Sequence, residues 1–161
     1  MTEFQERART LLHDPSLDPD GTAAGYVNAE QGVPDAAAAL DGARWILMET
    51  FAEDAELLGA FRTLVWERGE WASTVIPGKE TEGVKYSDYF NATERVKDVP
   101  SHRVLALLRA RKEGILRLSV DLPSDGAEGP SEPERRIAAR FGIESRGRAA
   151  DAWLANVVRL T

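Results

Sequence analysis

The stretch DAAAALDGARWILMETFAEDAELLGAFRTLVWERG, residues 35–69, decides the fold class of this chain. Asp35 precedes a run of strong helix formers and predicts the N-cap of a long helix. Apolar residues then recur every three or four positions, which indicates that each of two helices buries one face. The predicted inward residues are Leu40, Ala43, Ile46, Leu47 and Phe51, then Leu57, Phe61, Leu64 and Val65 before Gly69. We predict two antiparallel helices joined by a tight corner.

Helical patterns continue on both sides of this pair. Residues 2–13 predict a short amphipathic helix that stops before Pro15, because the residue preceding a proline avoids the α region. Asp20 is predicted to cap a short helix over residues 21–30, and Ser101 to cap a later one. Two last helices are predicted over residues 134–141 and about 148–160. The predicted inward residues of these helices and of those at residues 2–13 and after Ser101 are Phe4, Ala8, Leu11, Leu12, Val104, Leu105, Leu108, Trp153, Leu154, Val157 and Val158.

Two short segments favour β structure. The run 71–76 is rich in β-branched and aromatic residues and closes at Pro77, so it predicts a strand. Residues 115–122 predict a second strand, covered on more than one side. The fold class is therefore mainly α, a multi-helix bundle of antiparallel helices with a minor short β element. Residues 123–133, PSDGAEGPSEP, predict a linker between a helical region, 1–122, and C-terminal helices, 134–161.

Composition excludes several functional classes. The 161 residues carry a formal net charge of −7, no cysteine and two histidines, which argues against disulfide scaffolds and thiolate or multi-histidine metal sites. No run approaches the roughly 18 apolar residues of a membrane span, and the first ten residues lack the apolar core of a secretory signal. We expect a cytoplasmic protein with no cofactor, no metal, no membrane contact and no small-molecule substrate.

Short chemical motifs fail on inspection. The acidic loop after Ser16 resembles a calcium loop, but its twelfth position is Val27 instead of a bidentate glutamate. The pair Gly78–Lys79 resembles the end of a phosphate-binding loop, but Glu80 stands where that motif needs Ser or Thr. Neither histidine has a recognisable catalytic partner in the sequence. We therefore predict that the chain is not an enzyme and has no catalytic residues.

Charge is distributed unevenly along the chain. Residues 1–60 carry a net charge of −9, whereas residues 79–119 carry +3. Cations with interleaved aromatic residues are the composition of grooves that bind single-stranded nucleic acid. The candidate nucleic-acid contacts are Lys79, Lys85, Arg103, Arg109, Arg111, Lys112 and Arg117, with Tyr86, Tyr89 and Phe90 as candidate stacking residues. In the plainer interpretation, the aromatic residues belong to the core and the cations pair with Glu80, Glu82, Glu94 and Glu113.

Five ordered blocks of sequence resemble one known family. They are LLHDPSLDPD, GYVNAEQGVPDAAAALDGARWILMETFAEDAELLGAFR, GKETEGVKYSDYF, VPSHRVLALLRARKEGILRLSVDL and RIAARFGIESRGRAADAWLANVV. From about Leu11 to the end, the chain resembles the N-terminal and central helical region of the bacterial transcription accessory proteins called Tex. The resemblance implies a longer protein, in which a YqgF-type domain with an RNase-H-like fold, helix-hairpin-helix elements and a C-terminal OB-fold domain follow this region.

The resemblance implies a role in transcription and carries no catalytic residue onto this chain. Tex proteins bind nucleic acid chiefly through the C-terminal domain, so RNA or DNA is the implied partner of the full-length protein. Two hypotheses follow. In the first, this segment is a nucleic-acid-associated scaffold that adds weak phosphate contacts from residues 79–117. In the second, it is an acidic helical module that packs against neighbouring domains or the transcription machinery.

Overall fold

The computed structural model of the chain describes residues 8–123 and 128–161. The predicted helix over residues 2–13 therefore lies partly outside the described residues, including Phe4. The helices are α1 (Thr10–His13), α2 (Pro19–Ala24), α3 (Ala36–Ala52), α4 (Ala55–Arg68), α5 (Ser101–Lys112), α6 (Glu132–Phe141) and α7 (Asp151–Leu160). The strands are β1 (Glu70–Val75), β2 (Asn91–Arg95) and β3 (Leu116–Asp121), and short 3-10 helices span Ala29–Gln31 and Val84–Tyr89. None of the described helices combines the length and apolar character that a membrane span requires.

The chain divides into two compact units. Unit 1 comprises Met1–Gly59 and Glu128–Thr161, and unit 2 comprises Ala60–Ala127. One boundary lies within α4 and the other within the predicted linker, 123–133. Unit 1 carries 9 basic and 17 acidic side chains, a net charge of −8. Unit 2 carries 11 basic and 10 acidic side chains, a net charge of +1.

Two helices of unit 1 start at aspartate N-caps, one of which was predicted and one of which was not. The side chain of Asp35 accepts a hydrogen bond from the backbone N–H of Ala38 at 2.8 Å, as predicted for the N-cap of α3. The predicted cap Asp20 is wrong, because Asp18 accepts from the N–H of Gly21 at 2.7 Å and Asp20 lies in the first turn of α2. Pro19 follows Asp18 at the first helical position. A backbone N–H at this position has no partner within the helix, so its absence in proline removes no hydrogen bond.

The core of unit 1 forms where α3 contacts α7. Leu47 and Phe51 of α3 are buried, as are Leu154 and Val157 of α7. Phe51 also packs against Phe141 of α6, with the ring centroids 4.2 Å apart. The described residues thus confirm a mainly helical fold, in which α3 contacts α2 and α7, and α6 contacts α7. The antiparallel pairing of α3 with α4 stays a prediction.

Asp151 orders the loop that leads into α7. Its carboxylate accepts hydrogen bonds from the backbone N–H groups of Arg146 and Arg148 at 2.7 and 2.9 Å, and from the Arg148 guanidinium at 2.8 Å. Burial alone would raise the pKa of Asp151, but these hydrogen bonds, the backbone one from Arg148 first, outweigh it. The pKa of Asp151 therefore lies below its ordinary value, and the carboxylate stays charged inside the fold.

Unit 2 is built on a three-stranded antiparallel sheet in the order β2-β1-β3. Strands β1 and β3 confirm the two predicted β segments, whereas no element was predicted over the residues of β2. The expectation that the second strand is covered on more than one side is wrong, because Arg117, Ser119 and Val120 of β3 are exposed. On one face of the sheet, Leu116 belongs to a buried cluster with Tyr86, Leu107, Ala110 and Ile115. This cluster joins the sheet to α5 and to the second 3-10 helix.

Two predictions for α5 are wrong. Ser101 is the first helical residue instead of the cap, since the N-cap is Pro100, which forms no side-chain cap hydrogen bond. The buried residues of α5 are Leu107 and Ala110. Leu105 and Leu108, predicted to be buried, are 67% and 41% exposed. The helix is therefore rotated about its axis relative to the prediction, and two leucines lie on its outer side.

Candidate nucleic-acid interface

Helix α5 presents several of the predicted contact residues on one exposed surface of unit 2. We define the α5 surface by the residues that line its open groove, Lys85, Tyr86, His102, Leu105, Ala106, Leu108, Arg109 and Lys112. Leu105, Arg109 and Lys112 share the side of the helix that faces away from Leu107, because residues three and four apart lie on one face. The structure thus brings Lys85, Arg109 and Lys112 together around two exposed leucines.

Lys85 reaches this surface because a glycine lets the second 3-10 helix approach the core. Gly83 lies so close to Ile115 that a Cβ atom at position 83 would be 2.2 Å from the Ile115 Cγ2 atom. Lys85 follows on the exposed side of the 3-10 helix, and its ammonium lies 2.8 Å from the Glu113 carboxylate. It also lies over the ring of Tyr86, 4.9 Å from the centroid.

Glutamates neutralise part of the predicted cationic surface. Hydrogen bonding to Glu113 raises the pKa of Lys85 and lowers the pKa of Glu113 itself. Arg109 approaches the same carboxylate at 3.5 Å but is 77% exposed. Among the described residues, Arg111 and Lys112 form no ion pair, and both are exposed. Lys112 belongs to the α5 surface, whereas Arg111 does not line the groove, because residues two apart do not share a helix face with Arg109. The free positive charge of the α5 surface is therefore concentrated in the last turn of the helix.

Three predicted contacts lie elsewhere in unit 2. The Arg103 Nη1 atom donates to both carboxylate oxygens of Glu94, at 2.7 and 2.8 Å, which raises the Arg103 pKa. Lys79 pairs with Glu82 at 2.5 Å in the segment after β1. Arg117 lies on β3 between Leu116 and Leu118, both packed on the core side, so it points to the opposite face of the sheet. These three cations do not join the α5 surface.

The candidate stacking residues belong to the core. Tyr86 is 6% exposed within the buried cluster, and Tyr89 and Phe90 pack against that cluster half-buried. The plainer interpretation is therefore correct for the aromatic residues, which belong to the core. It is also correct for the cations that pair with Glu82, Glu94 and Glu113. Sequence reasoning missed Leu105 and Leu108 as surface residues. They are exposed because α5 packs against the rest of unit 2 with Leu107 and Ala110 on its buried face.

Clusters of metal ligands and histidines are two further features that could form part of a site in the described residues. Within residues 8–123 and 128–161, no group of three or more His, Cys, Asp or Glu side chains is placed to bind one. Both histidines, His13 and His102, are exposed. The α5 surface offers exposed cations for electrostatic contact and exposed leucines for apolar contact.

Comparison with known proteins connects this fold to a family. The sequence profile described as Tex central region-like matches residues 14–161. The chain belongs to the Tex family. It is 47% identical over 156 residues to the protein YhgF of Escherichia coli, covering 96% of this chain and 20% of that protein. It is 46% identical over 160 residues to the transcriptional accessory protein Tex of Neisseria gonorrhoeae, covering 98% and 20%.

A further Tex relative has the same extent. The protein tex of Bordetella pertussis is 43% identical over 160 residues, covering 96% of this chain and 20% of that protein. The chain therefore spans about one fifth of the length of the curated Tex relatives it matches. The expected resemblance to Tex is confirmed over nearly the whole chain.

Proposed function

We propose that this chain is a nucleic-acid-associated scaffold segment of a transcription accessory protein, with no catalysis of its own. The name of the Neisseria gonorrhoeae relative, a transcriptional accessory protein, supports the part in transcription. The single observation that carries nucleic-acid contact is the cluster of exposed cations in the last turn of α5. Because transcription in bacteria takes place in the cytoplasm, a cytoplasmic location is part of this proposal.

Phosphate contact at this turn is electrostatic and weak. Arg109, Arg111 and Lys112 are all exposed in this turn. Arg109 and Lys112 share the α5 surface, whereas Arg111 projects from another side of the helix end. Neutralising three phosphates of a single strand gives a slope of about −2 in log affinity against log salt. Affinity should then fall roughly 20-fold between 50 and 200 mM salt. Leu105 and Leu108 carry no charge and would lie against sugar or base.

Fluorescence anisotropy of a labelled single-stranded RNA tests this function. We expect salt-sensitive binding that is abolished when Arg109, Arg111 and Lys112 are all replaced by glutamate. The matched control replaces three other exposed arginines by glutamate, which changes the net charge equally: Arg62, Arg95 and Arg159. The control should retain most of the affinity. Equal loss in both variants would show that only net charge matters, and no binding at 50 mM salt would refute nucleic-acid contact by this segment.

The absence of catalysis is also part of the proposal. Nucleophilic catalysis typically needs a nucleophile that is hydrogen-bonded to a base, which a carboxylate in turn orients. In the part of the chain that the structure describes, neither His13 nor His102 takes part in such an arrangement. The segment would act by holding and positioning its partners.

A second function is favoured by the charge of unit 1. Its net charge of −8 repels phosphate and attracts basic partners. We propose that unit 1 is a protein-interaction module of the same scaffold. The chain should capture a purified basic protein. It should not capture an acidic protein whose net charge has the same magnitude and the opposite sign.

A further inference from the structure

A tryptophan lies in the middle of the outer face of α3. Trp45 is 69% exposed, whereas Leu47 and Phe51 on the opposite side of the helix are buried. Glu49 and Ala52 follow Trp45 at spacings of four and seven residues, so they share its face. Burial of a tryptophan side chain is strongly favourable, so an exposed one leaves a large apolar area in water. Tryptophan is also among the residues most enriched at the centres of protein interfaces.

An open apolar groove extends from Trp45 along the helix. The Trp45 surface, as we define it, consists of the α3 residues that line this groove, Trp45, Ile46, Met48, Glu49 and Ala52. Met48 adds a flexible, polarisable side chain that adapts to different partners. Thr161, which follows α7, also lines the groove. The groove is thus apolar along most of its length, and Glu49 is the one carboxylate side chain among the described residues that line it.

Acidic side chains border this groove. Ile46 and Glu49 also line a neighbouring groove, together with Arg9, Thr50, Glu53 and Asp54. Of these carboxylates, Asp54 pairs with Arg140 at 3.0 Å. Within the described residues, Glu49 and Glu53 form no ion pair. The cation of α3, Arg44, pairs with Asp41 at 2.9 Å and not with these two carboxylates. The surface therefore combines an apolar centre with a border in which, among the described residues, three carboxylates accompany one cation, Arg9.

We propose that the Trp45 surface binds a basic amphipathic segment of a partner protein. Apolar side chains of that segment would fill the groove beside Met48 and Ala52, and an arginine or lysine would lie over the Trp45 ring and pair with Glu49. A cation over a tryptophan face and a carboxylate beside it attract the same charge. The carboxylates repel phosphate, which favours protein over nucleic acid at this site. This inference rests on the second proposed function and names its site.

The test measures binding of a defined probe to the whole chain. The probe is a fluorescein-labelled synthetic helix of 18 residues with leucine on one face and arginine on the other; a peptide with glutamate in place of arginine is the control. We expect binding of the basic peptide only, weakened about tenfold or more by Trp45→Ala, as is usual for an interface hot spot. Alanine suits an exposed helix position, so the variant should keep the wild-type circular dichroism spectrum.

Two further variants separate the Trp45 surface from general acidity. Trp66→Ala removes a tryptophan that is 56% exposed on α4 and should leave the affinity unchanged. Glu49→Gln should weaken binding several-fold and reduce its salt dependence. Binding of the basic peptide that Trp45→Ala leaves unchanged would overturn the Trp45 surface while the acidic function stands. No binding of the basic peptide would overturn both. Self-association of the chain that Trp45→Ala abolishes would overturn the proposal in favour of a second copy.

Discussion

An alanine at Gly83 would place one methyl group where unit 2 has no room for it. Gly83 precedes the second 3-10 helix at φ −89° and ψ 11°, a conformation that alanine also adopts, so the backbone is not the obstacle. The obstacle is Ile115, whose Cγ2 atom would lie 2.2 Å from the new Cβ atom, whereas ordinary contact begins at 3.4 Å. The two segments would have to separate by at least about 1.2 Å, and Ile115 is only 1% exposed.

The expected cost follows from the size of this clash. Overpacking a core by one methylene typically destabilises by about 1–3 kcal/mol, and the reduced entropy of the unfolded chain returns about 0.4–1 kcal/mol. We expect Gly83→Ala to lower the free energy of unfolding by about 1–2 kcal/mol. For a chain of this size each kcal/mol lowers the melting temperature by about 2–4 °C.

Thermal unfolding followed by circular dichroism measures this effect against a matched control. Gly42 lies inside α3 with open space around the position that a Cβ atom would take, so Gly42→Ala should raise the free energy of unfolding by about 0.5–1 kcal/mol. The two substitutions are chemically identical and should shift the melting temperature in opposite directions. A Gly83→Ala variant that melts at or above the wild-type temperature would refute the close approach of Gly83 to Ile115.

Two further predictions concern unit 1. Leu154→Ala should lower the free energy of unfolding by about 2–5 kcal/mol in urea titrations, because Leu154 is fully buried; Leu160→Ala, at a position 50% exposed, should change it by less than about 0.5 kcal/mol. Asp151 has a folded pKa below its unfolded value, so its stabilising effect is present above about pH 4 and is lost as the pH falls through the folded pKa. Asp151→Asn should therefore lower the melting temperature at pH 7, and the difference from wild type should shrink in melts below pH 4. A constant difference across this range would contradict the charged state of Asp151.

Sequence patterns predict those elements of this fold whose ends are set locally. Asp35 caps α3 through its own side chain, and Gly142, with φ 66°, ends α6 where the pattern predicts it. The cap of α2 was misassigned because Asp18 and Asp20 both stand near its start. The proline at position 19 favours Asp18, because proline prefers the first helical position.

Tertiary packing decides the features that the sequence leaves open. Val104, Leu105, Leu107 and Leu108 are all apolar and span about 160° of the circumference of α5, so their periodicity does not select which part of this arc is buried. The sheet selects it by packing against Leu107. Strand β2, NATER, has no apolar run because it is a largely exposed edge strand, whose pairing with β1 only the folded chain reveals.

The same packing limits what charge counting along the chain can say about the candidate interface. Residues 79–119 carry a net charge of +3, but Glu82, Glu94 and Glu113 lie against Lys79, Arg103 and Lys85. A cation already paired with a carboxylate must give up that contact before it binds phosphate, so it adds little to the affinity. The salt dependence of RNA binding counts the phosphates that are neutralised. A slope of about −2 would match the exposed last turn of α5, whereas a slope of about −5 would correspond to all seven predicted cations and would mean that the ion pairs open on binding.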